Sequence, residues 1–179
     1  MDESQESQLV GEAIRGSRAA FAALLERYEK PVFNAAFRIL GDFEDARDVT
    51  QSTFLKAYEN LETFDEKYRF FSWIYRIAIN EALNLRKTRD RLEVIEDLVA
   101  EEHDNPESAA YQTELNQSVH EGLMKLGLDY RMVIVLKHFN DFNYRDISEV
   151  LGIPEKTVKS RLFTARSILQ EDLSKRGIL

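Results

Sequence analysis

Residues 144–169 read YRDISEVLGIPEKTVKSRLFTARSIL. Ile147, Val150 and Leu151 give a short helix one apolar face. Gly152 permits a tight turn, and Pro154 suits the first turn of a following helix, where a missing N–H costs nothing. Val158, Leu162, Ala165 and Leu169 then line one side of a longer helix. Two helices joined this way predict a helix-turn-helix whose second member is free to enter a major groove. Its other side carries Glu155, Lys156, Lys159, Ser160, Phe163 and Thr164, with Arg161 and Arg166 flanking. Lysine and serine reach phosphates and base edges, and Phe163 can touch a thymine methyl. A hairpin that only buries itself has no use for an apolar ring on a basic face.

Working outward, the rest of the chain repeats the helical period. Phe21, Leu24, Leu25, Tyr28 and Val32 form one stripe. Phe33, Ala36, Phe37 and Leu40 form the next, with Pro31 at the junction. Phe54, Ala57, Tyr58 and Leu61 give a third, and Phe70, Trp73, Ile74, Ile77 and Ala78 a fourth. The first half is thus a bundle of about four helices. Met132, Val133, Leu136 and Phe139 predict another helix ahead of the final pair. Seven glycines and three prolines in 179 residues leave few turns, and no period-2 stretch suggests a strand. The fold class expected is all-α.

Charge divides the chain. Its total is −8, yet residues 69–91 carry +4 and residues 130–179 carry +3, while residues 92–129 carry −9. Two basic islands in an acidic chain mark phosphate-facing surfaces better than the total does. In the first, RFFSWIYRIAINEALNLRKTRDR, aromatic and basic side chains interleave, as single-stranded nucleic acid requires. Trp73 reads first as packing against Ile77. Asn80 and Asn84 lie one turn apart and can bond an adenine edge or line a pocket for an extruded base. The acidic stretch from 93 to about 106 reads as a linker, with Asn105-Pro106 starting the next helix.

Other classes are constrained by what is missing. Without cysteine there is no disulfide framework, cysteine-ligated zinc or thiol catalysis. The three histidines, His103, His120 and His138, show no metal-ligating spacing. The acidic N-terminus lacks a signal-peptide pattern, and no stretch has the length to cross a membrane. A cytoplasmic chain without cofactor or metal is expected. A helix-turn-helix regulator with an N-terminal bundle and a small all-α enzyme remain alternative readings.

Taken together, GDFEDARDVTQSTFLKAYENLETFD, WIYRIAINEALNLRK and YRMVIVLKHFNDFNYRDISEVLGIPEKTVKSRL resemble the extracytoplasmic-function (group four) sigma factors of the sigma-70 family. The resemblance spans nearly the whole chain. It implies a sigma-2-like domain over 1–92, a linker over 93–106 and a sigma-4-like domain over 107–179. It implies that Asp45, Asp48, Gln51 and Phe54 dock on the clamp helices of the largest subunit of core RNA polymerase, three of them as one polar stripe. Arg69, Trp73, Arg76, Asn80, Asn84, Arg86 and Lys87 would melt and read the −10 element. Lys156, Thr157, Lys159, Ser160, Arg161, Phe163, Thr164 and Arg166 would read the −35 element as duplex. The C-terminal unit would touch the flap of the second-largest subunit, and the linker would thread the polymerase channels. An anti-sigma factor would hold the chain, with Leu55, Tyr58 and Leu61 as an apolar patch for it. The family's usual Leu-Pro is Leu126-Gly127 here. Lys156, Lys159 and Thr164 also depart from the common residues, so the upstream sequence read need not be the common one.

Overall fold

The computed structural model describes residues 3–96 and 114–178. Helix α1 (Glu3–Ile14) is followed by α2 (Arg18–Leu40), α3 (Phe43–Glu59), a 3-10 turn (Leu61–Thr63) and α4 (Phe70–Glu96). After the undescribed stretch come α5 (Glu114–Lys125), α6 (Leu128–His138), α7 (Tyr144–Leu151) and α8 (Glu155–Lys175). No strand occurs among the described residues. The linker expected over 93–106 overlaps the end of α4, and its remainder, with the helix start at Asn105-Pro106, lies outside the described residues.

The N-terminal bundle does have four helices, but they are not the four that periodicity suggests. The stripes on either side of Pro31 belong to one helix, α2. Pro31 is exposed. The N–H it lacks would have bonded the Arg27 carbonyl, and at the surface water can serve that carbonyl, so the helix continues. The fourth member is α1, whose polar sequence hides its role: Val10 and Ala13 are buried, and Glu6 accepts a hydrogen bond from the Tyr28 hydroxyl. The ends of α2 and α3 are written in the sequence. Ser17 caps α2 by accepting from the Ala20 N–H, and Asp42 caps α3 through the Asp45 N–H. Gly41, at φ 82°, closes α2 in the left-handed region.

In the C-terminal half the helix-turn-helix forms as expected. A capping box of Asn143 and Asp146 opens α7, and Gly152 at φ 64° ends it. Ile147, Val150, Val158, Leu162 and Ala165 are buried between α7, α8 and α6. At the Leu126-Gly127 position α6 starts without proline. The Gly127 carbonyl accepts from both the Tyr130 and Arg131 N–H groups at 3.0 Å.

The two halves share one core. Phe142 packs its ring against Phe71 and Tyr75 of α4 at 4.8 Å from each. The Asn140 amide donates to the Tyr75 hydroxyl at 2.7 Å. Phe37 of α2 stacks on His120 of α5 at 4.9 Å. His120 is therefore no surface histidine. Burial, Arg131 and Arg38 hold its pKa below the ordinary value, and Glu121 opposes them. The proton is taken up more readily once the seam is undone, so stability is lost as pH falls through about 6.5. His120→Gln should remove that loss. Between pH 7.5 and 5.5 the wild-type melting temperature should fall further than the variant's, as checked by paired thermal melts.

Candidate nucleic-acid and polymerase interfaces

Helix α4 buries Phe70, Ile74, Tyr75, Ala78, Ile79 and Ala82. Arg76, Asn80, Asn84 and Lys87 are all exposed. Their spacing of four, four and three residues puts them on one outward stripe. Arg86 is exposed beside it and pairs with Asp90 at 2.9 Å. Arg69 sits over the Phe71 ring at 5.2 Å. Trp73 is half-buried, with its ring 5.3 Å from Phe64 and 5.6 Å from Phe70. It both packs, as the spacing suggests, and borders a cleft. That cleft holds about 660 Å³ and is lined by Thr63, Phe64, Tyr68, Ser72, Trp73 and Arg76, and across from them by residues of the helix-turn-helix. The Ser72 hydroxyl is buried there without a hydrogen-bond partner. Sequence reasoning did not single out Ser72 or Tyr68; the only signal was their place between the aromatics.

On α8, Lys156, Lys159, Ser160 and Phe163 are exposed at i, i+3, i+4 and i+7. Phe163 is 75% exposed, the most exposed of the large apolar side chains. Its use must lie outside the described fold. Lys159 lies over the Tyr144 ring at 5.6 Å, as does Lys137 from the other side. Thr157 and Thr164 are half-buried at the edges of this face. Arg161 is half-buried and bound to Asp129 of α6 at 2.6 Å. Arg166 donates to His138 Nε2 at 3.2 Å. Both arginines therefore have intramolecular partners that a phosphate would have to replace.

The stripe expected on α3 is broken at its first member. Asp45 is buried in the first turn and ion-paired with Arg89 of α4. Burial raises its pKa, and the Arg89 guanidinium opposes the rise. The helix starts at Phe43, so position 45 faces α4 and the polar stripe begins at Asp48. Asp48 and Gln51 are exposed and Phe54 is buried. Gln51 and Phe54 line an open groove of about 840 Å³ between α2 and α3, together with Leu25, Phe33, Phe43, Leu55 and Tyr58. Leu55 is 58% and Tyr58 51% exposed. Leu61, expected in that patch, is buried in the bundle core because the 3-10 turn folds it inward. The α2 wall of the groove, with Lys30 and Phe33, was hidden in the sequence because Phe33 shares its periodicity with core residues.

Comparison with known proteins accounts for all three surfaces. The family model described as Sigma-70 region 2 matches residues 24–92, and the one described as Sigma-70, region 4 matches residues 116–169. The RNA polymerase sigma-H factor of Pseudomonas aeruginosa is 33% identical, over 97% of this chain and 96% of that protein. The chain belongs to the sigma-70 family. The ECF RNA polymerase sigma factor SigW of Bacillus subtilis, 32% identical over 89% of this chain and 91% of its own, places it among the extracytoplasmic-function sigma factors. In three dimensions the sigma factor is similar to CnrH, solved with the cytosolic domain of CnrY, at a TM-score of 0.76. That likeness has 27% identity and covers 96% of this chain and 98% of CnrH. It is equally similar, at 0.76, to RpoE of Bartonella quintana, solved with the anti-sigma factor NepR. There the identity is 26%, and 86% and 96% of the chains are covered. The protein is thus an alternative sigma factor, all-α, with a sigma-2-like bundle and a sigma-4-like helix-turn-helix. No described helix is long and apolar enough to cross a membrane.

Proposed function

We propose that this sigma factor works by dividing three tasks among its three surfaces. The observation that carries the proposal is the coexistence of two separate exposed basic faces, on α4 and α8, with an apolar groove between α2 and α3 that neither face uses. The groove takes the clamp helices of core RNA polymerase: Phe54, Leu55 and Tyr58 supply the apolar seat, and Gln51 and Asp48 the polar rim. The outward stripe of α4, with Trp73, Arg76, Asn80, Asn84 and Lys87, takes the non-template strand of the −10 element. The cleft beside Trp73 accepts the extruded base, whose edge can bond the unpartnered Ser72 hydroxyl. Extrusion costs a few kcal/mol, which stacking on aromatic rings repays at about 1–3 kcal/mol per base. The face of α8 reads the −35 element in the major groove, with Phe163 on a thymine methyl.

Asp45 supports this work from inside by fixing Arg89, and Arg161 by tying α8 to α6. The functional units are residues 1–92 and 107–179 with the acidic 93–106 between them. The second also meets the flap of the second-largest subunit. The chain carries out no chemistry itself: melting is driven by differential binding of single strands, and the polymerase forms the bonds. Its place is the cytoplasm, where the polymerase is.

An anti-sigma factor controls it. The relatives solved with such partners support this, and an apolar helix laid into the α2–α3 groove would exclude polymerase by competing for one seat.

Run-off transcription tests the reading. The chain is added to core polymerase with genomic fragments of its source, and transcript starts are sequenced. Starts that depend on the chain and share two spaced upstream motifs are expected. Transcripts identical to those of core alone, from a chain that still binds duplex DNA, would return the protein to the ordinary regulators.

A further inference from the structure

The seam between the halves is built from groups that have no other employment. Arg131 of α6 donates to the Leu123, Met124 and Leu126 carbonyls at 2.9, 2.8 and 3.0 Å, and to the Ile39 carbonyl at 2.5 Å. Leu123 and Met124 end α5, and Ile39 ends α2. The last carbonyls of a helix lack intrahelical partners and carry the negative end of its dipole. One guanidinium therefore caps two helix ends drawn from opposite halves. Phe142, 6% exposed, has its ring contacts on α4. Arg38 of α2 covers the Phe139 ring at 4.5 Å.

This seam sets a distance that a promoter cannot satisfy. Ile153 and Pro154, just ahead of the recognition helix, line the same cleft as Trp73 and Arg76. The recognition face begins two residues later and runs to Arg166. At 1.5 Å per residue it ends within about 20 Å of the turn. The −10 and −35 elements lie roughly 25 base pairs apart, about 85 Å of duplex at 3.4 Å per pair. Both faces cannot engage one promoter while the seam is closed.

We propose that the seam is a self-closing clasp, with Arg131 and Phe142 at its centre. It keeps the melting face of the free chain under its own helix-turn-helix turn until polymerase separates the halves. The inference rests on the assignment of α4 as the melting face. The α2–α3 groove lies outside the seam, so polymerase can dock before the clasp opens. Strand binding by the free chain is reduced by the fraction of open molecules.

The test uses the full chain without polymerase. X-ray scattering should give the wild type a radius of gyration near 16 Å, the value for a compact chain of this length. Phe142→Ala should be markedly larger. It should also bind a fluorescent deoxythymidine oligomer of about 12 nucleotides roughly tenfold more tightly. Because Phe142 makes its ring contacts across the seam, each half should keep its helices, which circular dichroism checks. Tyr75→Phe combined with Asn140→Ala removes the other crossing bond and should shift both readings the same way. An extended wild type, or opened variants with unchanged strand affinity, would overturn the clasp. Scattering reads closure whether or not the chain directs transcription, so loss of the run-off result alone would indict the sigma assignment instead.

Discussion

Leu55→Asp should weaken binding to core polymerase by about 3 kcal/mol, roughly 100-fold, with little change in melting temperature. Leu55 is 58% exposed on the rim of an open apolar groove, so its carboxylate variant costs the free fold almost nothing. In the complex the same carboxylate would be sealed against apolar neighbours without a partner, and that desolvation is the source of the loss. Tyr58→Ala should act in the same direction with a small stability cost, since the Tyr58 ring also packs on Phe21 at 5.0 Å. Asp45→Asn supplies the contrast. Asp45 is buried against Arg89, so its variant should alter melting and leave polymerase affinity nearly unchanged. Titration of labelled chain against core polymerase, beside thermal melts, separates the two effects. An affinity loss for Asp45→Asn larger than for Leu55→Asp would restore the original stripe.

The particular errors of sequence reading share a cause. Periodicity reports which face of a helix is apolar, not what that face meets. It therefore located Ile147, Val158 and Leu162 correctly, because a short helix-turn-helix has only one place to bury them. It split α2 at Pro31, because a proline counts as a break unless its missing bond falls at the surface. It missed α1, whose buried stripe is little more than Val10 and Ala13 in a polar setting. Asp45 counted as surface because nothing in the local sequence points to Arg89, 44 residues on. The seam was invisible for the same reason. Phe71, Tyr75 and Phe142 each read as core of their own half, and only the folded chain makes them one cluster. The exposed sites were more legible than the buried ones. An apolar or cationic side chain on the wrong face, such as Phe163 or Lys159, violates the local pattern, and a violation is visible in one dimension.

Electrostatics adds a constraint that joins these observations. A chain of net charge −8 approaches DNA unfavourably as a whole, and only its two basic faces are attracted. With the seam closed, those faces cannot both reach one promoter. Weak affinity of the free chain and strong affinity of the polymerase-bound chain then follow from geometry together with charge. Neither requires a dedicated inhibitory segment.

Lys159→Arg should change which promoters are used more than how strongly DNA is bound. Lys159 is exposed on the recognition face with its ammonium over Tyr144. An ammonium is a point charge that can satisfy a phosphate or several base acceptors from one direction. A guanidinium presents two parallel donors that match O6 and N7 of guanine. The substitution adds no net charge, so the phosphate contribution and its salt dependence should stay nearly constant. What it adds is about 1–3 kcal/mol of discrimination at one base pair, several-fold to about 100-fold in promoter choice. Run-off transcription from a library randomised through the upstream element reads this directly. The variant should enrich guanine at a single position, while Phe163→Ala should instead relax a preference for thymine. If the variant's library matches the wild type's at every position, Lys159 holds a phosphate, and base reading on α8 falls to Ser160, Phe163 and Thr164.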